Sequence, residues 1–151
     1  MKQTDSARAL IEQLELAPHP EGGWYRETWR SDEEASGRAK GTAILFLLTS
    51  DQRSHWHRVD ADELWFWQSG DPLDLLIADD DAGPVKSITL GRDVTSGQSL
   101  QGLVPTGAWQ AAEPSPPSEK AAGYTLVSCV VVPGFEFAGF ELAAPGWSPG
   151  A

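Results

Sequence analysis

Cysteine is nearly missing from this chain. Cys129 is the one thiol, so no internal disulfide can form. It lies in the apolar run Leu126-Val-Ser-Cys-Val-Val-Val132, with nothing cationic beside it in sequence, and reads as a buried, inert thiol. Basic residues are scarce as well: 11 lysines and arginines face 22 acidic residues, a net charge of −11. That balance leaves no basic footprint for nucleic acid and works against an anionic membrane surface. Long apolar runs are absent. The uncharged stretch Gly41–Ser50 falls far short of the ~20 residues that span a bilayer. The first residues lack the basic-then-apolar order of a secretory signal, and a cytoplasmic location is expected. No Gly-x-Ser-x-Gly, Gly-x-Gly-x-x-Gly or phosphate-loop pattern occurs, which removes serine-triad and nucleotide-loop chemistry.

What remains is a 151-residue chain with an ordinary hydrophobic fraction of 40%, read as one domain over residues 1–151. Residues 1–18 hold a helix, 24–142 a β-barrel and 143–151 a loose Gly/Pro-rich tail. The helix is expected over 5–17, because Ala7, Leu10, Ile11 and Leu14 form one apolar stripe and Pro18 follows. Strands are expected at Trp24–Arg30, Thr42–Thr49, Ser54–Val59, Glu63–Gln68, Asp74–Ala78, Val85–Leu90, Ser99–Val104, Gly123–Val132 and Glu136–Leu142. Ser54–Val59 and Glu63–Gln68 are expected to pair across Asp60-Ala-Asp62. The continuous apolar run Thr42–Thr49 suits a strand buried on both faces. The proline-rich segment Ala111–Ala122 reads as a mobile surface loop, and the triple aspartate at 79–81 as a solvated turn. Many short strands punctuated by glycine and proline point to an all-β sandwich or barrel.

The chemistry concentrates in His55-Trp56-His57, Glu63 and Gly70. Two histidines one residue apart on a regular strand share a face, and Glu63 returns on the following strand. Two imidazoles and a carboxylate suit either a divalent metal or proton transfer. Of the seven tryptophans, Trp56, Trp65, Trp67 and Trp109 sit in or beside these motifs. Glu63, Trp65 and Trp67 share one strand face, so the carboxylate is expected to be partly desolvated and its pKa raised. Tyr25 and Glu27 share a face, with Arg26 on the other. Arg26 is a candidate for clamping a carboxylate or phosphate, or for a surface ion pair. His19, between Pro18 and Pro20, reads as a turn residue, and Arg58 as an ion-pair partner.

These residues resemble a cupin, a double-stranded β-helix or jelly-roll barrel. The first cupin motif is matched by His55, His57, Glu63 and Gly70, with one extra residue before Glu63. Asp62 takes Glu63's place if the turn is one residue shorter. The second motif is matched by Pro105 and Gly107, but Gln110 stands where its histidine belongs. Pro20-Glu-Gly-Gly-Trp-Tyr-Arg-Glu27, Ser54-His-Trp-His-Arg58, Asp62-Glu-Leu-Trp65, Gly70-Asp-Pro-Leu73, Val104-Pro-Thr-Gly-Ala-Trp109 and Pro133-Gly-Phe-Glu-Phe137 together resemble a cupin subfamily of unknown function, related to deoxysugar epimerases. Phe66 departs from its pattern, which often has histidine there.

The resemblance implies a jelly-roll barrel with a short N-terminal helix, a homodimer, and a small-molecule pocket in the barrel mouth. His57, His55, Glu63 and Tyr25 are the expected catalytic groups, with Tyr124 a second candidate proton donor. Trp65, Trp67, Trp109, Gln110 and Arg26 are the expected substrate contacts. His55, His57, Glu63 and Gln110 would hold one divalent iron, manganese, nickel or zinc ion. Three readings follow: an epimerase or isomerase of a sugar-like or carbonyl compound, a metal-dependent dioxygenase, or a non-catalytic metabolite binder.

Overall fold

The computed structural model describes residues 5–115 and 121–151. It opens with α1 (Asp5–Gln13) and continues through strands β1 (Ala17–Pro18), β2 (Trp24–Arg30), β3 (Thr42–Thr49), β4 (Ser54–Val59), β5 (Asp62–Gly70), β6 (Leu73–Ala78), β7 (Lys86–Leu90), β8 (Gln101–Val104), β9 (Trp109–Pro114), β10 (Tyr124–Val132) and β11 (Phe140–Leu142). Two antiparallel sheets face each other. One has the order β1-β2-β3-β10-β5-β8 and the other β11-β4-β9-β6-β7, a jelly-roll barrel as the sequence motifs imply.

The inward faces of both sheets supply the main core. Phe46 and Leu48 from β3, Trp65 from β5, Leu73, Leu75 and Ile77 from β6, and Val127 and Cys129 from β10 meet inside the barrel. The continuous apolar run of β3 has a direct cause. Its alternate residues Leu45 and Leu47 face outward onto a second cluster with Leu10, Ile11, Leu14 and Leu16. The amphipathic helix thus covers one outer face of the first sheet. It is shorter than its sequence pattern predicts: the chain turns through a left-handed Glu15 (φ 56°), and Ala17 and Pro18 pair with β2.

Three other expectations are revised. β4 and β5 do not pair with each other. β4 bonds to β9 and β11, and β5 to β10 and β8, so the chain crosses between sheets at Asp60-Ala61. Ala61 is buried there with Val59 and Val131, which makes the turn a barrel corner rather than a hairpin tip. The segment Glu136–Leu142 is mostly a 3-10 turn (Phe137–Gly139), and only its last three residues form a strand. Ala111–Pro114 belongs to β9 instead of a loop, because Ala111 and Ala112 are buried against β6; residues 116–120 of that segment lie outside the described residues. The tail is tied down: Trp147 packs on Trp109 with ring centroids 4.6 Å apart, and Gly150 N–H donates to Asp81 O.

Leu47 is fully buried between barrel and helix. Leu47→Ala is expected to lower the free energy of urea unfolding by about 2–5 kcal/mol, the cost of an emptied leucine site.

Candidate functional site: a buried acid–imidazole cluster

The regular alternation of β4 breaks where the histidines are. Ser54 pairs with Ala112, and His57 pairs with Gln110, so two residues of β4 oppose the single Ala111 of β9. This is a β-bulge. It turns Ser54 and His57 inward while His55 and Trp56 both leave the interior. Trp56 joins Ala78, Trp109 and Ala111 on the outer face of the second sheet. The half-buried His55 is held there by a 2.9 Å hydrogen bond between its Nε2 and Ala144 O. The expected His55–His57 pair on one face is therefore not formed.

The interior place is filled from the turn His19-Pro-Glu-Gly-Gly23. Gly22 (φ +109°) and Gly23 (φ +82°) adopt backbone that favours glycine, and a Cβ on Gly22 would stand 2.2 Å from Arg53 O. That close approach presses the turn onto β4, where His55 N–H donates to Glu21 O at 2.9 Å. His19 and Glu21 are thereby carried into the barrel, both at or below 9% exposure. Reading His19 as an ordinary turn residue missed this. The paired glycines after Glu21 were the available signal, since they permit two backbones to touch.

Glu21 sits between two imidazoles. Its Oε1 is 3.3 Å from His19 Nδ1 and its Oε2 is 3.2 Å from His57 Nδ1. The Ser54 hydroxyl donates to Oε2. His57 Nδ1 also lies 2.8 Å from His55 O, and His19 Nδ1 accepts the Glu21 backbone N–H at 3.1 Å. Gln110, the β9 partner of His57, donates from Nε2 to Glu63 Oε1 at 3.0 Å, and its Oε1 accepts from Trp65 Nε1 at 2.9 Å. The indole can only donate, which fixes the orientation of the Gln110 amide.

Burial dominates the electrostatics. Loss of water pushes the Glu21 carboxyl up to about 8 against the opposing Ser54 hydrogen bond. Glu63 is pushed up to about 7 by burial first, with His57 pulling it down and Glu21 pushing it further up. His19 falls to about 4 through burial and the neighbouring His57. His57 is lowered too, chiefly by burial, with Glu63 opposing. Near neutrality burial favours uncharged imidazoles beside a largely protonated Glu21 and a half-protonated Glu63. Burial also raises the Cys129 thiol, in keeping with an inert cysteine.

Four expected site residues, His57, Glu63, Trp65 and Gln110, are brought together, and Tyr25 joins them, its ring 4.4 Å from that of His19. The others lie elsewhere. Arg26 is outside, its Nη1 donating to Leu14 O and 3.8 Å from Glu15, where it braces the turn after the helix. Trp67 points inward but borders a separate depression of about 480 Å3 with Arg92 and Gln98. Trp109 is on the outer face, with Arg58 over its ring at 4.5 Å. Arg58 pairs with Glu141 at 2.9 Å, as a surface ion pair should. Tyr124 packs in the helix-side cluster.

This arrangement does not fit the metal set. His55 faces away, and Gln110 Oε1 is committed to the Trp65 indole. Among the described residues no three His, Cys, Asp or Glu side chains are grouped to hold a metal ion. What the cluster offers is proton donors and acceptors in a buried interior.

Fold and site together define a cupin-type barrel whose apolar interior encloses a cluster of acids and imidazoles. The chain belongs to the family described as Cupin superfamily (DUF985), whose family model matches residues 8–143. It is similar to the uncharacterized protein YML079W of Saccharomyces cerevisiae, 33% identical over 148 residues, covering 87% of this chain and 72% of the yeast protein. Among solved structures, a hypothetical protein from Leishmania major is 37% identical with a TM-score of 0.83, covering 91% of this chain and 87% of that one. Protein SO0799 from Shewanella oneidensis is 35% identical with a TM-score of 0.81, covering 95% and 86%. An oxalate decarboxylase from Bacillus subtilis shares the fold alone, at 14% identity and a TM-score of 0.59, covering 83% of this chain and 29% of that one. Among the described residues no helix is long and apolar enough to cross a membrane.

The raised carboxyls make stability depend on pH with a definite sign. Folded Glu21 and Glu63 keep protons that the unfolded chain releases above 4.5, so their contribution is full at low pH and is lost as pH rises to 7–8. The lowered histidines act oppositely, costing stability as pH falls below 6.5, His19 until about 4. Above pH 6.5 only the carboxyls act, each retained proton being worth about 1.4 kcal/mol per pH unit. The thermal midpoint should fall from pH 6.5 to 8. Glu21→Gln, whose amide does not titrate, should flatten that fall in a calorimetric series.

Proposed function

We propose that this cupin binds a small, neutral polar metabolite in its barrel and moves a proton next to a carbonyl, as an epimerase or isomerase does. One observation carries the reading: His57 is buried in the barrel opposite Gln110, which holds Glu63 at 3.0 Å, and burial favours the uncharged imidazole. An unprotonated imidazole is a competent base at pH 7, and a neighbouring carboxyl stabilises the imidazolium that forms. Glu63 is itself oriented by Gln110 and Trp65, so its position is set before substrate arrives. Tyr25 supplies a hydroxyl-bearing ring on the His19 side.

The chemistry of the walls supports a neutral reacting group. The cluster is bonded by hydroxyl, amide, indole and imidazole groups, and among the described residues no guanidinium or ammonium bonds to it. A phosphate or carboxylate at this depth would lack a counter-charge. Sugar-like hydroxy-carbonyl compounds suit the interior, in line with the resemblance to deoxysugar epimerases. A second copy of this chain is the proposed partner, supported by the exposed aromatics Trp29 and Phe137. Light scattering on an eluting peak should give twice the chain mass of 16.3 kDa.

The functional test is deuterium uptake from heavy water at the carbon next to the carbonyl, followed by NMR over a panel of uncharged sugars and small hydroxy-ketones. At least one compound should exchange, and a folded His57→Ala protein should lose about 10²–10⁴-fold of the rate. Saturable quenching of tryptophan fluorescence by a compound that is recovered without exchange would establish the binding-module reading instead.

A further inference from the structure

His19 and Glu21 belong to no part of the base just described, yet they are buried at or below 9% exposure and touch it. Their hydrogen bonds carry specific information about where protons sit. His57 Nδ1 faces a backbone carbonyl, His55 O, at 2.8 Å. A carbonyl only accepts, so Nδ1 carries the proton and Nε2 is the bare nitrogen. His19 Nδ1 faces a backbone N–H, that of Glu21, at 3.1 Å. A backbone N–H only donates, so this Nδ1 is bare and Nε2 carries the proton. The two rings are held in opposite tautomers by main-chain groups that cannot change role.

The Glu21 carboxyl spans them, with Oε1 on His19 Nδ1 and Oε2 on His57 Nδ1, and the Ser54 hydroxyl holds it in place. Both rings pack on one phenyl ring, Phe140, at 5.4 Å from His57 and 6.2 Å from His19, so they border a common region of the interior. Tyr25 closes against the far edge of His19.

We propose that His57 and His19 are the base and acid ends of one proton-transfer pair, bridged by the Glu21 carboxyl. The inference rests on the acid–base reading above and adds the group that returns the proton. His57 Nε2 takes the C–H proton while its electron pair passes into the carbonyl as an enolate. The imidazolium releases its Nδ1 proton to Glu21 Oε2 as Glu21 Oε1 releases its proton to His19 Nδ1. His19 Nε2 then donates its proton to the enolate carbon, and the substrate has gained and lost one proton. Each ring is left with its bare and protonated nitrogens exchanged, facing the wrong main-chain group. Water resets the pair by accepting a proton from His57 Nε2 and giving one to His19 Nε2, with the bridge running in reverse. Glu21 is a positioning and relay group, since it touches no substrate atom in this scheme. The other titratable groups facing it are Glu63 and Cys129 across the barrel.

The test needs no substrate, so its failure is separate from that of the functional reading. The chain has only three histidines, His19, His55 and His57. Protein labelled with 15N-histidine therefore gives three rings, assigned by single His→Gln variants. Long-range 15N–1H correlation at pH 7 should show His57 protonated on Nδ1 and His19 on Nε2. The same tautomer on both rings would overturn the proposal in the wild-type protein, whether or not any variant folds. Hydrogen–deuterium exchange of the His57 Nδ1 proton reads the bridge. Glu21→Gln keeps the side-chain shape but cannot pass a proton, and it should slow that exchange about tenfold or more. Exchange unchanged in Glu21→Gln, with both tautomers kept, would show that the carboxyl does not carry the proton and would refute the relay.

Discussion

A carboxyl group taken out of water must find a cation or keep its proton. Glu21 and Glu63 are both buried in the barrel without a bonded lysine or arginine among the described residues, and burial pushes both well above the usual carboxylate range. The rest of the interior depends on that constraint. Two protonated or half-protonated acids tolerate each other's proximity and can share hydrogen bonds with two uncharged imidazoles. The Ser54 hydroxyl donates to Glu21, the Gln110 amide donates to Glu63, and the Trp65 indole donates to Gln110. Hydrogen bonds of this kind are strong in a low-dielectric interior, and they hold the cluster's side chains in one arrangement.

Two local backbone features place this network. The bulge in β4 changes which residues face inward, putting Ser54 and His57 in the barrel and His55 outside. The Gly22-Gly23 turn lets the chain before β2 lie against β4, which delivers His19 and Glu21. Neither feature adds a residue with chemistry of its own. Together they exchange one imidazole for another and add a carboxyl, so that His19, Glu21, His57 and Glu63 share the interior in place of the expected His55–His57 pair.

The fold was largely legible in the chain. Alternation along β5 correctly groups Glu63, Trp65 and Trp67, and the two-sided apolar run of β3 correctly anticipates a covered outer face. Those inferences work because regular strands obey a period of two. The same rule fails at His55 for the reason it succeeds elsewhere: it assumes an uninterrupted ladder, and a bulge is an interruption set by the partner strand. Trp109 is misplaced for a related reason. Its neighbour Gln110 takes the inward position opposite His57, so the indole faces out onto the tail residue Trp147. The tail itself looked loose because glycine and proline report local conformational freedom and not the contacts that remove it.

The sequence by itself determined the composition of the site region: histidines, acids and tryptophans in motifs shared with cupins, in an acidic chain with one cysteine. It determined that His57, Glu63 and Gln110 would be neighbours, because strand pairing and motif spacing are one-dimensional signals. Only the tertiary structure decided that His19 and Glu21 complete the cluster and that His55 does not. Their approach depends on a contact between backbones more than thirty residues apart, Glu21 O with His55 N–H, and no local pattern encodes a contact at that separation.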